Sequence, residues 1–202
     1  MNTTPGFDRS LFLHINAFAR HTGWLHEPMR LFAADGVVLF GILLLVAWWR
    51  ARSLGALSVT RALLSPVAVL VAVALNQPLV HHFAEQRPFV AYPNALLLVS
   101  HSADPGFPSD HATMVGAVAV GVIASTWRPG LRWLGSLTAV LALLMCFARV
   151  YVGVHYPLDV IAGLVVGGLV AAVVVLLGGR LAVPVVRRLE QTRLRPLVTT
   201  AG

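Results

Sequence analysis

Along the chain, long apolar runs alternate with short polar stretches. Five runs stand out, at about 31–49, 62–80, 112–127, 134–150 and 160–183. Each approaches the ~18 or more apolar residues that cross the hydrocarbon core of a bilayer. Backbone surrounded by lipid must satisfy its own hydrogen bonds, so each run predicts a helix. Residues 7–30 differ, because Arg20, His21, His26, Glu27 and Arg30 are mixed there with aromatics and leucines. That mixture predicts helices lying in the membrane interface, with a sixth span as the alternative. The expected fold is all-α: a polytopic membrane helical bundle of five to six transmembrane helices with N-terminal interfacial helices. Its expected divisions are 1–30 (interfacial helices), 31–183 (transmembrane domain) and 184–202 (a basic tail).

Composition agrees. The 202 residues are 57% hydrophobic and 11% charged, too apolar for a soluble domain. The net charge of +7 would suit nucleic acid or an anionic membrane surface. All 15 basic residues are Arg, and their placement fits topology better than a nucleic-acid footprint. Arg50, Arg52, Arg61, Arg128, Arg132, Arg180, Arg187, Arg188, Arg193 and Arg195 fall on one side of the expected spans, which the positive-inside rule makes cytoplasmic. The tail is then cytoplasmic and expected to touch anionic headgroups. Cys146 is the single cysteine, so no intrachain disulfide forms. No cleavable signal peptide is expected at the N-terminus.

The loops 81–111 and 149–159 are separated by two crossings, so they share the opposite, outer face. They hold most of the remaining ionisable residues. In the first, Pro108-Ser109-Asp110-His111 immediately precedes an apolar helix, where Ser109 or Asp110 suits the N-cap. Free backbone N–H groups at a helix start form an anion site, and His111 would sit in its first turn. Arg87-Pro88 lies upstream; a guanidinium grips phosphate or carboxylate bidentately. In the second, ARVYVGVHYPLD places Arg149, His155 and Asp159 between two apolar segments. Spaced four residues apart, His155 and Asp159 would share a face if helical, letting Asp159 fix the imidazole tautomer. Gly153 permits a sharp turn and Pro157 suits a first helical turn.

Each element alone has a plainer reading, as a capped helix, a solvated loop Arg or an interfacial His. Together, two Arg, two His, one Asp and a helix start suit a tetrahedral phosphate and its transition-state charge. His81, His82 and His101 are also outward, but without further ligands at metal-site spacing. Asn76 and Gln77, polar residues near the end of the second run, are accounted for by helix packing, as is the close spacing of Gly163 and Gly167. The apolar ALLLV of the first loop (95–99) is a candidate lipid contact.

Arg87-Pro88, Pro108-Ser109-Asp110-His111 and Arg149-x5-His155-x3-Asp159 resemble the three-part signature of the type 2 phosphatidic acid phosphatase (PAP2) superfamily. Their form is most similar to its bacterial undecaprenyl-diphosphate phosphatase branch. The resemblance implies a PAP2/haloperoxidase-like core, with 31–183 as the phosphatase domain. It implies a lipid diphosphate as substrate, no cofactor and no metal. His155 would form a phosphohistidine, Asp159 would support it and His111 would protonate the leaving group. Arg87, Arg149, Ser109, Asp110 and Pro108 would line the phosphate site. The resemblance also implies a multi-pass protein of the bacterial cytoplasmic membrane, acting at its outer face on the cell-wall lipid carrier.

Three departures stand out. Val80 occupies the position of the family's first-motif Lys, with His81 and His82 as candidate substitutes. Asp110 replaces the usual Gly, and its carboxylate would repel phosphate unless paired or turned away. Ala148 replaces a Ser. Phosphatidate, phosphatidylglycerophosphate and other prenyl phosphates remain alternative substrates, and a transporter is the non-enzymatic alternative. The sequence carries no signal of oligomeric state.

Overall fold

The computed structural model describes residues 4–100 and 104–200, and the regular elements there are helical. In chain order these are α1 (Gly6–His21), α2 (Gly23–Asp35), α3 (Val37–Ala51), α4 (Ala56–Phe83), α5 (Pro88–Ala91), α6 (Asp110–Thr126), α7 (Arg132–Tyr151) and α8 (Pro157–Ala172). A π-helical segment (Val173–Leu177) joins α8 to α9 (Gly178–Leu189), and α10 (Arg195–Val198) follows. Three helices are long and apolar enough to cross a bilayer: α4, α7 and the continuous Pro157–Leu189 rod. The α2–α3 pair, bent by 59°, is apolar enough to make a fourth if the two helices are counted as one span. The apolar α6 is shorter, at 17 residues.

The bend corrects the expected first span. The run 31–49 crosses Gly36, where a Cβ would lie 2.8 Å from Met145 Cε and 2.3 Å from the Phe32 carbonyl oxygen. A Cβ there would press on the α2 backbone as well as on the end of the Met145 side chain, so glycine suits the point where α2 turns away from α3. Hydropathy registers the apolar run but is blind to its break.

Small residues explain why α6 can be central. It packs against α3, α4, α7 and α8, and Ala112, Val115, Ala117, Val118 and Val122 are buried along it. At Gly163 a Cβ would meet the Ser109 carbonyl oxygen at 2.4 Å, and at Gly167 it would meet that of Thr113 at 1.9 Å. The GxxxG spacing thus lets α8 lie directly on the first turns of α6, the close backbone approach that small residues permit between membrane helices. Outward faces carry exposed Leu70, Val140 and Leu169, as lipid-facing helices do.

The N-terminal helix buries two polar residues along with two apolar ones. Asp8, Phe12, Asn16 and Ala19 are buried, whereas Phe7, Leu11, Leu13 and Phe18 are exposed. Ser10, His14, Arg20 and His21 are exposed as well, so α1 presents a mixed apolar and polar outer face. At the other end of the bundle the tail folds back. Trp48 Nε1 donates to the Leu197 carbonyl at 3.0 Å and Arg52 Nη1 to that of Pro196 at 2.6 Å. Val198 is buried with Ala51, Val59, Ala62 and Val186. The tail is therefore partly packed against α3 and α4 rather than wholly extended. The expected divisions at 30/31 and 183/184 fall inside α2 and α9, so neither is a break in the backbone.

Candidate active site

Four helix ends converge on one face of the bundle: the C-termini of α4 and α7, and the N-termini of α6 and α8. They enclose a cavity of about 300 Å3 whose lining includes His81, Arg87, Asp110, His111, Arg149 and His155. Both polar loops identified in the sequence thus contribute to one site.

His155 lies just before α8, not within it. Tyr156 is the N-cap and Pro157 the first helical residue, with φ fixed in the helical range. Gly153, at φ 90°, makes the turn out of α7; a Cβ there would stand 2.3 Å from the Leu96 carbonyl oxygen. The turn returns the imidazole to Asp159, with Nδ1 3.2 Å from Oδ2. The same Oδ2 accepts the Tyr156 backbone N–H at 2.8 Å, closing a capping box. One carboxylate thereby starts the helix and orients the ring.

The other ring nitrogen, Nε2, is 3.1 Å from Arg87 Nη1 and 3.2 Å from Ser109 Oγ. A guanidinium only donates. Nε2 must therefore accept, and Nδ1 carries the proton of the neutral ring towards Asp159. His155, Asp159 and Ser109 are all buried. Ser109 is the N-cap of α6, yet its hydroxyl faces His155 rather than capping. The first-turn N–H groups of α6 lack intrahelical acceptors, leaving donors beside the cavity.

Arg87 is held by several acceptors. Its Nε donates to the Asp104 carbonyl at 2.9 Å and Nη1 to that of Val154 at 3.3 Å. Its Nη2 pairs with the Asp104 carboxylate at 3.2 Å. Arg149 Nη1 donates to the Ala33 carbonyl at 3.1 Å, tying this cation to α2. Its Nε is buried without an acceptor among the described residues. A buried donor of that kind beside a cavity is the complement of an anion.

Asp110 answers the question of repulsion. Its Oδ1 accepts from Asn76 Nδ2 at 2.7 Å and from Gln77 Nε2 at 2.9 Å. Asn76 also donates to the Pro108 carbonyl at 3.1 Å. Asn76 and Gln77 therefore do more than pack helices: they pin the Pro108–Asp110 corner to α4. As an acceptor, the Asp110 carboxylate can meet phosphate only through its backbone N–H. His111 lines the cavity, as does Val80 at the missing Lys position. His81 lines it too, whereas exposed His82 stacks edge-on against Phe83 at 5.2 Å. His101 lies outside the described residues. The ALLLV segment turns inward in part: Leu96 and Leu98 pack beside Tyr151, Val152 and Val154.

Three contributors escape sequence reasoning. Asp104 pairs with Arg87 from a loop with no periodic signal. Gly106 lets that loop approach, since a Cβ there would lie 3.0 Å from Arg87 Cγ and 3.7 Å from His155 Nδ1. Asp8, from α1, accepts the Leu158 backbone N–H at 3.0 Å at the start of α8. Among the described residues, no three His, Cys, Asp or Glu side chains converge as metal ligands would.

Comparison with known proteins places these residues in a family. The chain is 36% identical over 160 residues to YbjG of Escherichia coli, covering 78% of this chain and 76% of that protein. It is 34% identical over 156 residues to the undecaprenyl-diphosphatase BcrC of Bacillus subtilis, covering 77% and 76%. The crystal structure of Aquifex aeolicus LpxE shares its fold with a TM-score of 0.50 at 19% identity, over 86% of this chain and 88% of that one. Residues 61–181 match the PAP2 superfamily model, a segment containing all three sequence motifs and the helices that carry them. With that match across more than half its length, this membrane helical chain belongs to the PAP2 superfamily.

Proposed function

We propose that the chain is a membrane phosphatase that hydrolyses undecaprenyl diphosphate to the monophosphate and inorganic phosphate. The observation that carries the reading is the state of His155. Asp159 Oδ2 accepts the Nδ1–H, and Nε2 presents a lone pair inside a cavity flanked by Arg87 and Arg149. BcrC, a relative matched over most of both chains, is named for that substrate.

In this reading His155 Nε2 attacks the terminal phosphorus. The P–O bond to the lipid monophosphate breaks, its electron pair leaving on oxygen, which His111 protonates. His111 then takes a proton from water, the water oxygen bonds to phosphorus, and the P–N bond breaks to restore His155. Phosphate oxygens replace Nε2 as acceptors for Arg87 and Ser109, and Arg149 supplies its unused donor. Asp110 and Pro108 complete the phosphate corner through backbone groups, and His81 stands where the absent Lys would reach. The polar residues gather at helix ends rather than at mid-span, which favours an enzyme over a transporter.

We read residues 31–183 as the phosphatase domain, with 1–30 at the interface and 184–202 on the cytoplasmic side. The site then faces outward at the cytoplasmic membrane. Cysteines at Ser100 and Ser53 test this in intact cells. Ser100→Cys should react with an impermeant thiol reagent and Ser53→Cys should not, while the reverse inverts the topology. The reaction itself is tested with purified protein, undecaprenyl diphosphate and phosphatidate. Phosphate release from the first, abolished in His155→Ala, is expected. Release from neither substrate by folded protein would end the phosphatase reading, and preference for phosphatidate would change the substrate.

A further inference from the structure

We infer that Asp8, on the N-terminal helix, is a positioning residue for the His155–Asp159 pair; the inference rests on the phosphatase reading above. A helix start has backbone N–H groups without intrahelical acceptors. At α8 the N-cap N–H, that of Tyr156, goes to Asp159 Oδ2 at 2.8 Å. Pro157 has no N–H. The next, that of Leu158, is taken by Asp8 Oδ1 at 3.0 Å, across 150 residues of sequence.

Asp8 is 1% exposed, so no water stands in for this bond. Without Asp8, the Leu158 N–H is buried and unmet, and Asp159 is the acceptor nearest to it in the helix. Asp159 Oδ1 is buried without a partner among the described residues, and swinging the carboxylate to bring it to that N–H would draw Oδ2 from the imidazole. Asp8 thus leaves Oδ2 to hold both Tyr156 N–H and His155 Nδ1.

The rest of α1 keeps Asp8 in place. Asn16 exchanges two hydrogen bonds with the Leu96 backbone, at 2.8 and 3.0 Å. Phe12 packs edge-on against Tyr156, the N-cap residue itself, at 5.4 Å. Thr4 donates to Glu85, fastening the segment before the helix to the loop that bears Arg87. A helix that the sequence assigns to the interface alone thereby reaches the reacting pair.

The test compares Asp8→Ala and Asp8→Asn in the full-length protein. Asparagine keeps the Oδ1 acceptor, and alanine removes it. With undecaprenyl diphosphate, Asp8→Ala should lose at least tenfold in kcat with KM within twofold, and Asp8→Asn should recover to within threefold of wild type. A second readout is independent of turnover. With 15N-labelled histidine, the His155 signals, assigned by their loss in His155→Gln, should report the Nδ1–H tautomer in wild type and Asp8→Asn. A shift towards Nε2–H is expected in Asp8→Ala. Unchanged kcat and an unchanged tautomer in Asp8→Ala would overturn the inference. So would equal losses in both variants that follow the folded fraction alone. If Asp8→Ala does not fold, a loss of kcat or of the tautomer in folded Asp8→Asn would overturn it, and retention of both would support it. A wild-type protein that releases no phosphate sinks the phosphatase reading, and the tautomer comparison still decides the role of Asp8.

Discussion

Arg87 Nη1 stands 3.1 Å from His155 Nε2, so a permanent cation faces the ring nitrogen that the proposed mechanism makes the nucleophile. A guanidinium only donates, so this contact holds Nε2 as an acceptor. Asp159, 3.2 Å from the other nitrogen, supplies the opposite influence once phosphorus bonds to Nε2 and the ring acquires positive charge. In the proposed mechanism the two contacts divide the work: Arg87 holds Nε2 as an acceptor, and Asp159 stabilises the charged intermediate. Phosphate joins them, because its oxygens draw the Arg87 donors away from Nε2.

Asp159→Asn tests the second half of that division. An amide in place of the carboxylate can still accept Tyr156 N–H, so the start of α8 survives. Its NH2 group, if turned to Nδ1, imposes the wrong tautomer, and in either orientation the negative charge is gone. By analogy with the loss of the orienting carboxylate in serine-protease triads, kcat should fall on the order of 10^4-fold. Phosphate-release assays, with folding checked by thermal melting, measure it. Near-normal kcat would detach Asp159 from the chemistry.

Arg149→Lys tests whether the second cation acts by charge or by shape. Lysine keeps the charge but not the planar fork, and cannot both reach Ala33 and present a second donor to the cavity. Loss of one such donor costs about 3 kcal/mol of transition-state stabilisation, or on the order of 10^2-fold in kcat. Arg149→Ala should lose at least as much. If Lys restores full turnover, the bidentate role is wrong.

The candidate site was legible in the sequence where its residues are local. Arg87, Ser109, Asp110, His111, Arg149, His155 and Asp159 stand in short motifs, and all belong to the cavity or its walls. The Gly163–Gly167 pair also has a local signature, and it marks the α6–α8 crossing. The hidden part is what depends on distant contacts. The bend falls at Gly36, where the end of the Met145 side chain, over a hundred residues away, comes against the chain. Asp8 looks like any polar residue of an interfacial helix until α1 is laid against Leu158. Asn76 and Gln77 did carry a signal, since polar side chains in an apolar span are costly and tend to be functional. Their partner, Asp110, lies 34 residues on from Asn76 and could not be named without the fold.

Asn76→Ala probes that partnership. Asn76 is fully buried, and its amide serves both Asp110 and the Pro108 carbonyl. Truncation leaves these acceptors short of a donor and should cost about 1–3 kcal/mol of stability. In a double-mutant cycle with Asp110→Ala, the losses should be less than additive, because both changes remove one contact. Unfolding in detergent measures the four proteins. Additive losses would show that the contact carries no energy.

The titration of Asp8 gives a prediction of opposite sense to a usual carboxylate. Burial pushes its pKa above the ordinary Asp range and nearby Glu85 adds to this, while the Leu158 N–H opposes it. The folded chain then holds this proton to higher pH than the unfolded chain does. Its contribution to stability is full at low pH and is lost as pH rises through the raised value. Asp8→Asn cannot lose that proton. Wild type should therefore lose stability relative to Asp8→Asn as pH rises from the usual carboxylate range towards neutrality. Parallel melting curves across that range would contradict the shift.

The last prediction separates two adjacent glycines. At Gly167 a Cβ would come within 1.9 Å of the Thr113 carbonyl oxygen and 3.0 Å of the Ala117 nitrogen, backbone atoms that cannot rotate aside. At Gly168 the nearest atom is Val120 Cγ2 at 3.7 Å, ordinary van der Waals contact. Gly167→Ala must push α8 off α6 and should cost about 1–3 kcal/mol or more through overpacking. Gly168→Ala removes a flexible residue from a helix interior and should be neutral or stabilising by up to about 1 kcal/mol. The consequence for activity follows from the fold. The Ser109 hydroxyl rides on the start of α6, while His155 is held at the start of α8, so their 3.2 Å contact depends on the crossing. Gly167→Ala should therefore depress kcat by more than its folded fraction explains, whereas Gly168→Ala should leave kcat unchanged. Equal behaviour of the two variants would mean that the crossing does not set the geometry of the site.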